Sequence, residues 1–247
     1  MKKQWALVTL VLAGGMILVA GLATAAETAQ AGPGKKIKVL VVAGGHPYKV
    51  PDFRAVFPAY TDMDCTFVDE KKGGEAFSDI RQFPYDAILL YNFEKNPSQQ
   101  ERENFLKLLD RGVGLVILHH AIYGYRTSWP EFQKIVGVTS WLSGAKDDVH
   151  FKIHVEDPKH PITKGLSDFP IHDEIYKGHG LDPKMHVILS TDEPTNSKHI
   201  AWVHTYRNAR VCYFQLGHDE KAYRNPQFQA VLGQAIRWVA GRLPKAE

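Results

Sequence analysis

Three apolar runs, each closed abruptly by glycine or histidine, constrain this chain more than any other feature. The first is Lys36-Ile-Lys-Val-Leu-Val-Val-Ala43, ended by Gly44-Gly45-His46. A second, Gly114 to Leu118, runs into His119-His120, and a third, Val211 to Leu216, into Gly217-His218-Asp219-Glu220. They are too apolar for half-exposed strands and read as strands buried on both faces, the habit of parallel sheets. Between them lie two more strand-like runs, Cys65 to Val68 and Tyr85 to Tyr91, and a short helix after Pro51. Asn96-Pro97-Ser98 opens a longer helix with Phe105, Leu106, Leu108 and Leu109 on its apolar face and Gly112 as its stop. Strands alternating with helices at this spacing predict a doubly wound α/β fold with a mostly parallel sheet.

The second half changes character. Val149 to Val155, Met185 to Ser190, Ile200 to Tyr206 and Val211 to Leu216 read as strands with few helices between them, Arg207-Asn208-Ala209 being a hairpin turn. Gln227 to Ala240 closes the chain as an amphipathic helix. No internal repeat or composition break marks a second core, so the expectation is one domain over residues 36–243, with an antiparallel elaboration on the α/β sheet.

Residues 1–25 stand apart. Lys2 and Lys3, the apolar run Trp5 to Leu22 and the small residues Ala23-Thr24-Ala25 fit a secretory signal peptide cleaved near Ala25, with residues 26–35 as a linker. The expected location is therefore periplasmic or secreted. Lys2 and Lys3 also carry most of the formal charge of +3, so the processed chain is nearly neutral and nucleic acid is not an expected partner. No later stretch reaches the roughly 18 apolar residues of a membrane span, so no membrane association is expected after cleavage. With 44% hydrophobic residues the chain has material for a substantial core. Cys65 and Cys212, both in apolar strand-like runs, read as buried hydrophobes rather than a disulfide. The oligomeric state is not legible.

Ligands of open α/β sheets bind outside the carboxyl ends of the strands, where the three polar clusters should converge. Eleven of the 12 histidines fall at or after His119. His172-Asp173-Glu174 sets two carboxylates beside an imidazole, just ahead of Tyr176. His218 paired with Asp173 or Glu174 would suffice for acid/base chemistry, an imidazole titrating near neutrality and a carboxylate to orient it. No cofactor is required by these residues. Histidine and carboxylate ligands suit a divalent metal, but there is no His-Glu-x-x-His motif and no paired cysteine spacing.

Five motifs in order, Leu118-His119-His120-Ala121, His160-Pro161-Ile162-Thr163-Lys164-Gly165-Leu166, Asp173-Glu174-Ile175-Tyr176, Ala201-Trp202-Val203-His204 and Leu216-Gly217-His218-Asp219, resemble the ThuA-like (trehalose-utilisation) family. The resemblance spans about Lys36 to Gly241 and implies a class I glutamine amidotransferase-like fold. Those amidotransferases carry a nucleophilic Cys at the sharp turn after a central strand. Here His119-His120 follows that strand, so glutaminase activity is not expected. In many relatives a histidine closely follows the residue corresponding to Trp141; the nearest here is His150.

The resemblance further implies a carbohydrate substrate, a keto-glycoside or disaccharide. In that reading His218 is acid or base, Asp173 or Glu174 orients it, Asp219 lies in the same motif, and His119 or His120 stabilises a developing enolate oxygen. Gly45, His46, Tyr48, Trp141, His150 and Tyr176 are the expected substrate contacts, the aromatic ones by stacking. Two other readings stay open: a non-catalytic sugar-binding or partner module, and a metal-dependent hydrolase using the same histidines.

Overall fold

The apolar run after Lys36 forms strand β1 (Ile37–Gly44), and six of its eight residues are buried. In the computed structural model, which describes Met1 and residues 34–245, it is followed by α1 (Val50–Arg54), β2 (Met63–Asp69), β3 (Ala87–Asn92), α2 (Gln99–Asp110) and β4 (Gly114–Leu118). Every residue of β3 and β4 is buried, as strands covered on both faces require. Next come α3 (Pro130–Val136), β5 (Val138–Ser140), β6 (Gly144–Val155), β7 (Phe169–Lys177), β8 (Gly180–Leu181), β9 (His186–Ser190), β10 (His199–Tyr206) and β11 (Ala209–Phe214). Helices α4 (Glu220–Tyr223) and α5 (Pro226–Val239) close the chain. The expected signal peptide and most of the linker lie outside the described residues. Among the described residues, no helix is long and apolar enough to cross a membrane.

One nine-stranded sheet has the order β2-β1-β3-β4-β11-β10-β9-β6-β7, and β5 pairs separately with β8. From β2 to β11 all neighbours are parallel; from β11 to β7 all are antiparallel. The architecture is the doubly wound α/β sheet with an antiparallel second half that the sequence predicts. Alternate residues of the central strands feed two cores. Val39, Val41, Leu89 and Val116 pack with Phe53 of α1 and Phe228, Leu232 and Ile236 of α5. Leu40, Val42, Ile88, Leu90 and Ile117 face Phe105 and Leu109 of α2 and Phe132 and Ile135 of α3.

Three details differ from the sequence reading. Pro97 stands before the cap of α2, and Ser98 is the cap: its hydroxyl accepts from the Glu101 amide while the Glu101 carboxylate accepts from the Ser98 amide. The run at Val149 is the second half of a longer strand, interrupted by a register shift between Lys146 and Val149. Strand β7 has no counterpart among the strands read from the sequence. Its buried residues Phe169, Ile171, Asp173 and Ile175 alternate at period two, but Pro170 and adjacent carboxylates obscure the pattern.

Strand β6 pairs with β9 only through His154 and Val155, and then with β7 along most of its length. That hairpin carries Asp173, Glu174 and Tyr176 back over the carboxyl ends of β4 and β11, where they touch Gly217, His218 and His119. Five strand positions separate β7 from β4 in the sheet, so only a fold-over produces these contacts.

Candidate functional site

The parallel strands β1, β3, β4 and β11 release their chains at one edge, and His46, His119 and His218 all stand there. The turn after β4 is sharp. His119 adopts the left-handed conformation (φ 53°), which costs a non-glycine residue about 1–2 kcal/mol. It occupies the sharp turn straight after the central strand β4. The ring is fully buried, its Nδ1 2.7 Å from the Gln215 carbonyl, and Tyr176 stacks on it at 5.1 Å. A carbonyl only accepts, so Nδ1–H donates and Nε2 is the face turned to the site.

Three atoms converge there. His119 Nε2 lies 3.1 Å from Glu174 Oε2 and 3.3 Å from His218 Nδ1, and His218 Nδ1 lies 3.3 Å from the same Glu174 oxygen. The Tyr176 hydroxyl lies 3.1 Å from His119 Nε2. Burial opposes ionisation of Glu174, but its contacts with the His119 and His218 imidazoles outweigh it and hold the carboxyl well below its usual range. The hydrogen bond to Glu174 raises the His218 imidazole to about 9, against the opposing effect of burial. Asp147, exposed on the irregular part of β6, lies 3.8 Å from His218 Nε2; its carboxyl is raised, first by its contact with Glu174. Asp147 escaped the sequence reading, because only the register shift in β6 turns it toward the cluster.

Asp173 and Glu174, adjacent on a strand, point to opposite sides. Glu174 takes the rings. Asp173, 2% exposed, accepts the backbone amides of Gly217 (2.7 Å), His218 (3.0 Å) and Glu174 (2.9 Å), and thus fixes the turn that carries His218. Burial raises its carboxyl despite those bonds. Tyr91 donates to the Gly217 carbonyl and Tyr223 to the His218 carbonyl, pinning the same turn from below. Gly217 has φ 120°, and a Cβ there would press to 3.1 Å on the Phe228 ring.

The other expected site residues divide. His46 stacks on His120 at 5.0 Å, lies 6.3 Å from the His218 ring, and borders a cleft of about 430 Å³ with Tyr48, Lys49, His218, Asp219 and Glu220. Gly45 brings the first loop close to β3, where a Cβ would stand 2.0 Å from the Phe93 carbonyl. Tyr48 lines the cleft but spends its hydroxyl on Asp69 (2.9 Å). His120 is 3% exposed, with Nε2 3.1 Å from the Tyr91 carbonyl, and burial pushes its imidazole well below the usual range. It supports His46 from beneath. Tyr176, 3% exposed under His119, presents no face to a sugar. Asp219 caps α4 by accepting from the Lys221 amide. His150 stacks on His172 at 3.7 Å in a different hollow, beside Lys221 and Arg224. Trp141 is half-buried beside Tyr123, 6.4 Å between rings. Both cysteines are free: burial raises Cys65 to about 11 and Cys212 to about 12.

Solved structures place this architecture. A ThuA-like protein from Parabacteroides merdae aligns with TM-score 0.72 at 21% identity, over 86% of this chain and 93% of its own. A ThuA-like protein from Bacteroides uniformis aligns with TM-score 0.65, also at 21% identity, over 86% and 94%. The PurLQS structure from Thermotoga maritima aligns with TM-score 0.56 at 13% identity, over 82% and 99%. These likenesses establish the glutamine amidotransferase-like fold. No curated protein sequence matches. The ThuA family, described as trehalose utilisation, matches residues 38–239, and with most of its length inside that match the chain belongs to the ThuA family.

Proposed function

We propose that this protein is a carbohydrate-processing enzyme, acting on a keto-glycoside or disaccharide at the His119–Glu174–His218 cluster, and that it works outside the cytoplasm after removal of residues 1–25. The single observation that carries the reading is the convergence of two imidazoles on one carboxylate oxygen, all within 3.3 Å, with one of the rings, His218, lining the cleft beside His46. That cleft, about 430 Å³, falls in the roughly 300–1,000 Å³ range of small-molecule sites. A keto group acidifies the neighbouring C–H bond, and histidine with an orienting carboxylate suits moving that proton in an elimination or isomerisation. In this reading His46, which lines the cleft, contacts a sugar hydroxyl. Glutamine is not the substrate in this reading: His119 stands where the thiolate would be, and desolvation holds both cysteines, one buried and one half-buried, as neutral thiols.

The test is turnover of a panel of 3-keto-glycosides, the parent disaccharides and glutamine. Wild type should convert at least one keto-glycoside or disaccharide and leave glutamine untouched. His218→Ala should lose on the order of 10²-fold or more in rate while keeping the wild-type circular dichroism spectrum. Full turnover by His218→Ala would sink the assignment of the cluster. Sugar binding without turnover would make the protein a recognition module.

A further inference from the structure

We infer that His119 Nε2, Glu174 Oε2 and His218 Nδ1 form a binding site for one divalent transition-metal ion of the zinc class. The inference deepens the proposed function, since it concerns the same cluster, but it stands on coordination geometry rather than on any substrate. The three atoms make a nearly equilateral triangle with edges of 3.1, 3.3 and 3.3 Å. Zinc bonds of about 2.0–2.2 Å to nitrogen and oxygen in tetrahedral array put ligand atoms about 3.4 Å apart. An ion held by all three would sit about 1 Å out of their plane, leaving a fourth position for water or a substrate oxygen. Among the described residues this is the one group of His, Cys, Asp and Glu whose ligand atoms lie this close together.

The surroundings match what a metal ligand set needs. His119 donates Nδ1–H to the Gln215 carbonyl, which fixes the tautomer that turns the Nε2 lone pair inward. The strained turn at His119 and the Tyr176 stack hold that ring in one orientation. Asp173 fixes the backbone under His218 through the Gly217 and His218 amides, so the second imidazole is also pre-positioned. Two imidazoles and one carboxylate favour zinc, iron, cobalt, nickel or manganese over magnesium or calcium, which prefer all-oxygen shells. The sequence contains none of the usual short-range metal motifs because the ligands come from three separate places: the turn after β4, strand β7 and the turn after β11.

The test uses the metal alone. Full-length processed protein, stripped with a chelator and dialysed, is titrated with Co²⁺ and Zn²⁺. Calorimetry should give one ion per chain, and Co²⁺ should develop visible d–d absorption that Zn²⁺ displaces. Glu174→Gln and His218→Ala, each checked for wild-type circular dichroism, should weaken binding by at least about tenfold, whereas His150→Ala, in the other hollow, should leave it unchanged. Absence of stoichiometric binding, or binding unaffected in both cluster variants, overturns the site. The two readings fail separately. Turnover that survives metal stripping with no ion bound leaves the carbohydrate reading standing without the metal. An ion bound stoichiometrically with no turnover on the sugar panel leaves the metal site without that function.

Discussion

Asp173 shows how much one buried carboxylate can organise. It makes no contact with an imidazole, yet three backbone amides depend on it, two of them in the turn that presents His218. Asp173→Ala leaves those amides without their acceptor in a dry place, and should cost on the order of 3 kcal/mol in urea unfolding at neutral pH. Asp173→Asn, which keeps an acceptor oxygen, should cost less; equal losses would mean that the charge matters rather than the hydrogen bonds. The cysteines make the opposite case. Cys212 is fully buried on β11 and Cys65 is half-buried on β2, both with raised thiols. Alkylation under native conditions should be slow at both and should not abolish turnover; rapid inactivation by a thiol reagent would contradict the reading of the strained turn as a histidine position.

Among the elements, the β6–β7 hairpin and helix α5 share a joint. Asn225 caps α5 by accepting from the Gln227 and Phe228 amides, and its side-chain amide donates to the Pro170 carbonyl at the start of β7. Replacing it by Ala should cost about 2 kcal/mol, at the upper end of the usual range for a cap because a cross-element bond is lost with it. Chemical denaturation measures the loss, and an unchanged midpoint would show that the cap is dispensable. At this scale the chain was readable where periodicity was clean. Gly114 to Leu118 was bounded correctly, and the closing helix to within a residue, because full burial or a regular apolar face leaves a strong pattern. Strand β7 was not, because a strand that carries a site puts charged residues where a core strand would put apolar ones. With β7 recognised, alternation alone places Glu174 and Tyr176 on one side and Asp173 on the other; which side meets the histidines still depends on how the hairpin folds over.

For the molecule as a whole, pH should act through buried histidines remote from the cluster. Burial lowers both His160 and His179 to about 4. His160 Nδ1 accepts the Ile162 amide, a bond that protonation would break, and neither ring nitrogen of His179 has a partner. In the unfolded chain both rings take up a proton near pH 6.5, so between about pH 6.5 and 4 the unfolded state binds more protons and stability falls as the solution is acidified. Denaturation midpoints should drop across that window, and His160→Asn, which keeps an acceptor for the Ile162 amide, should flatten the drop; an unchanged slope would remove His160 as a cause. The sequence by itself determined the α/β class, the parallel first half and antiparallel second half, the histidines at three strand ends, and the family resemblance. These are local properties: burial on both faces writes an apolar run, and an abrupt strand end writes a glycine or histidine. Only the tertiary structure decided that Glu174 rather than Asp173 meets the rings, that Tyr176 and His120 lie beneath the site instead of lining it, that Asp147 stands beside His218, and that His150 belongs to another hollow. Apart from the placement of His120 against β3, those outcomes rest on a hairpin folding over a sheet edge five strands away, and a long-range packing choice of that kind leaves no periodic trace in the residues that make it.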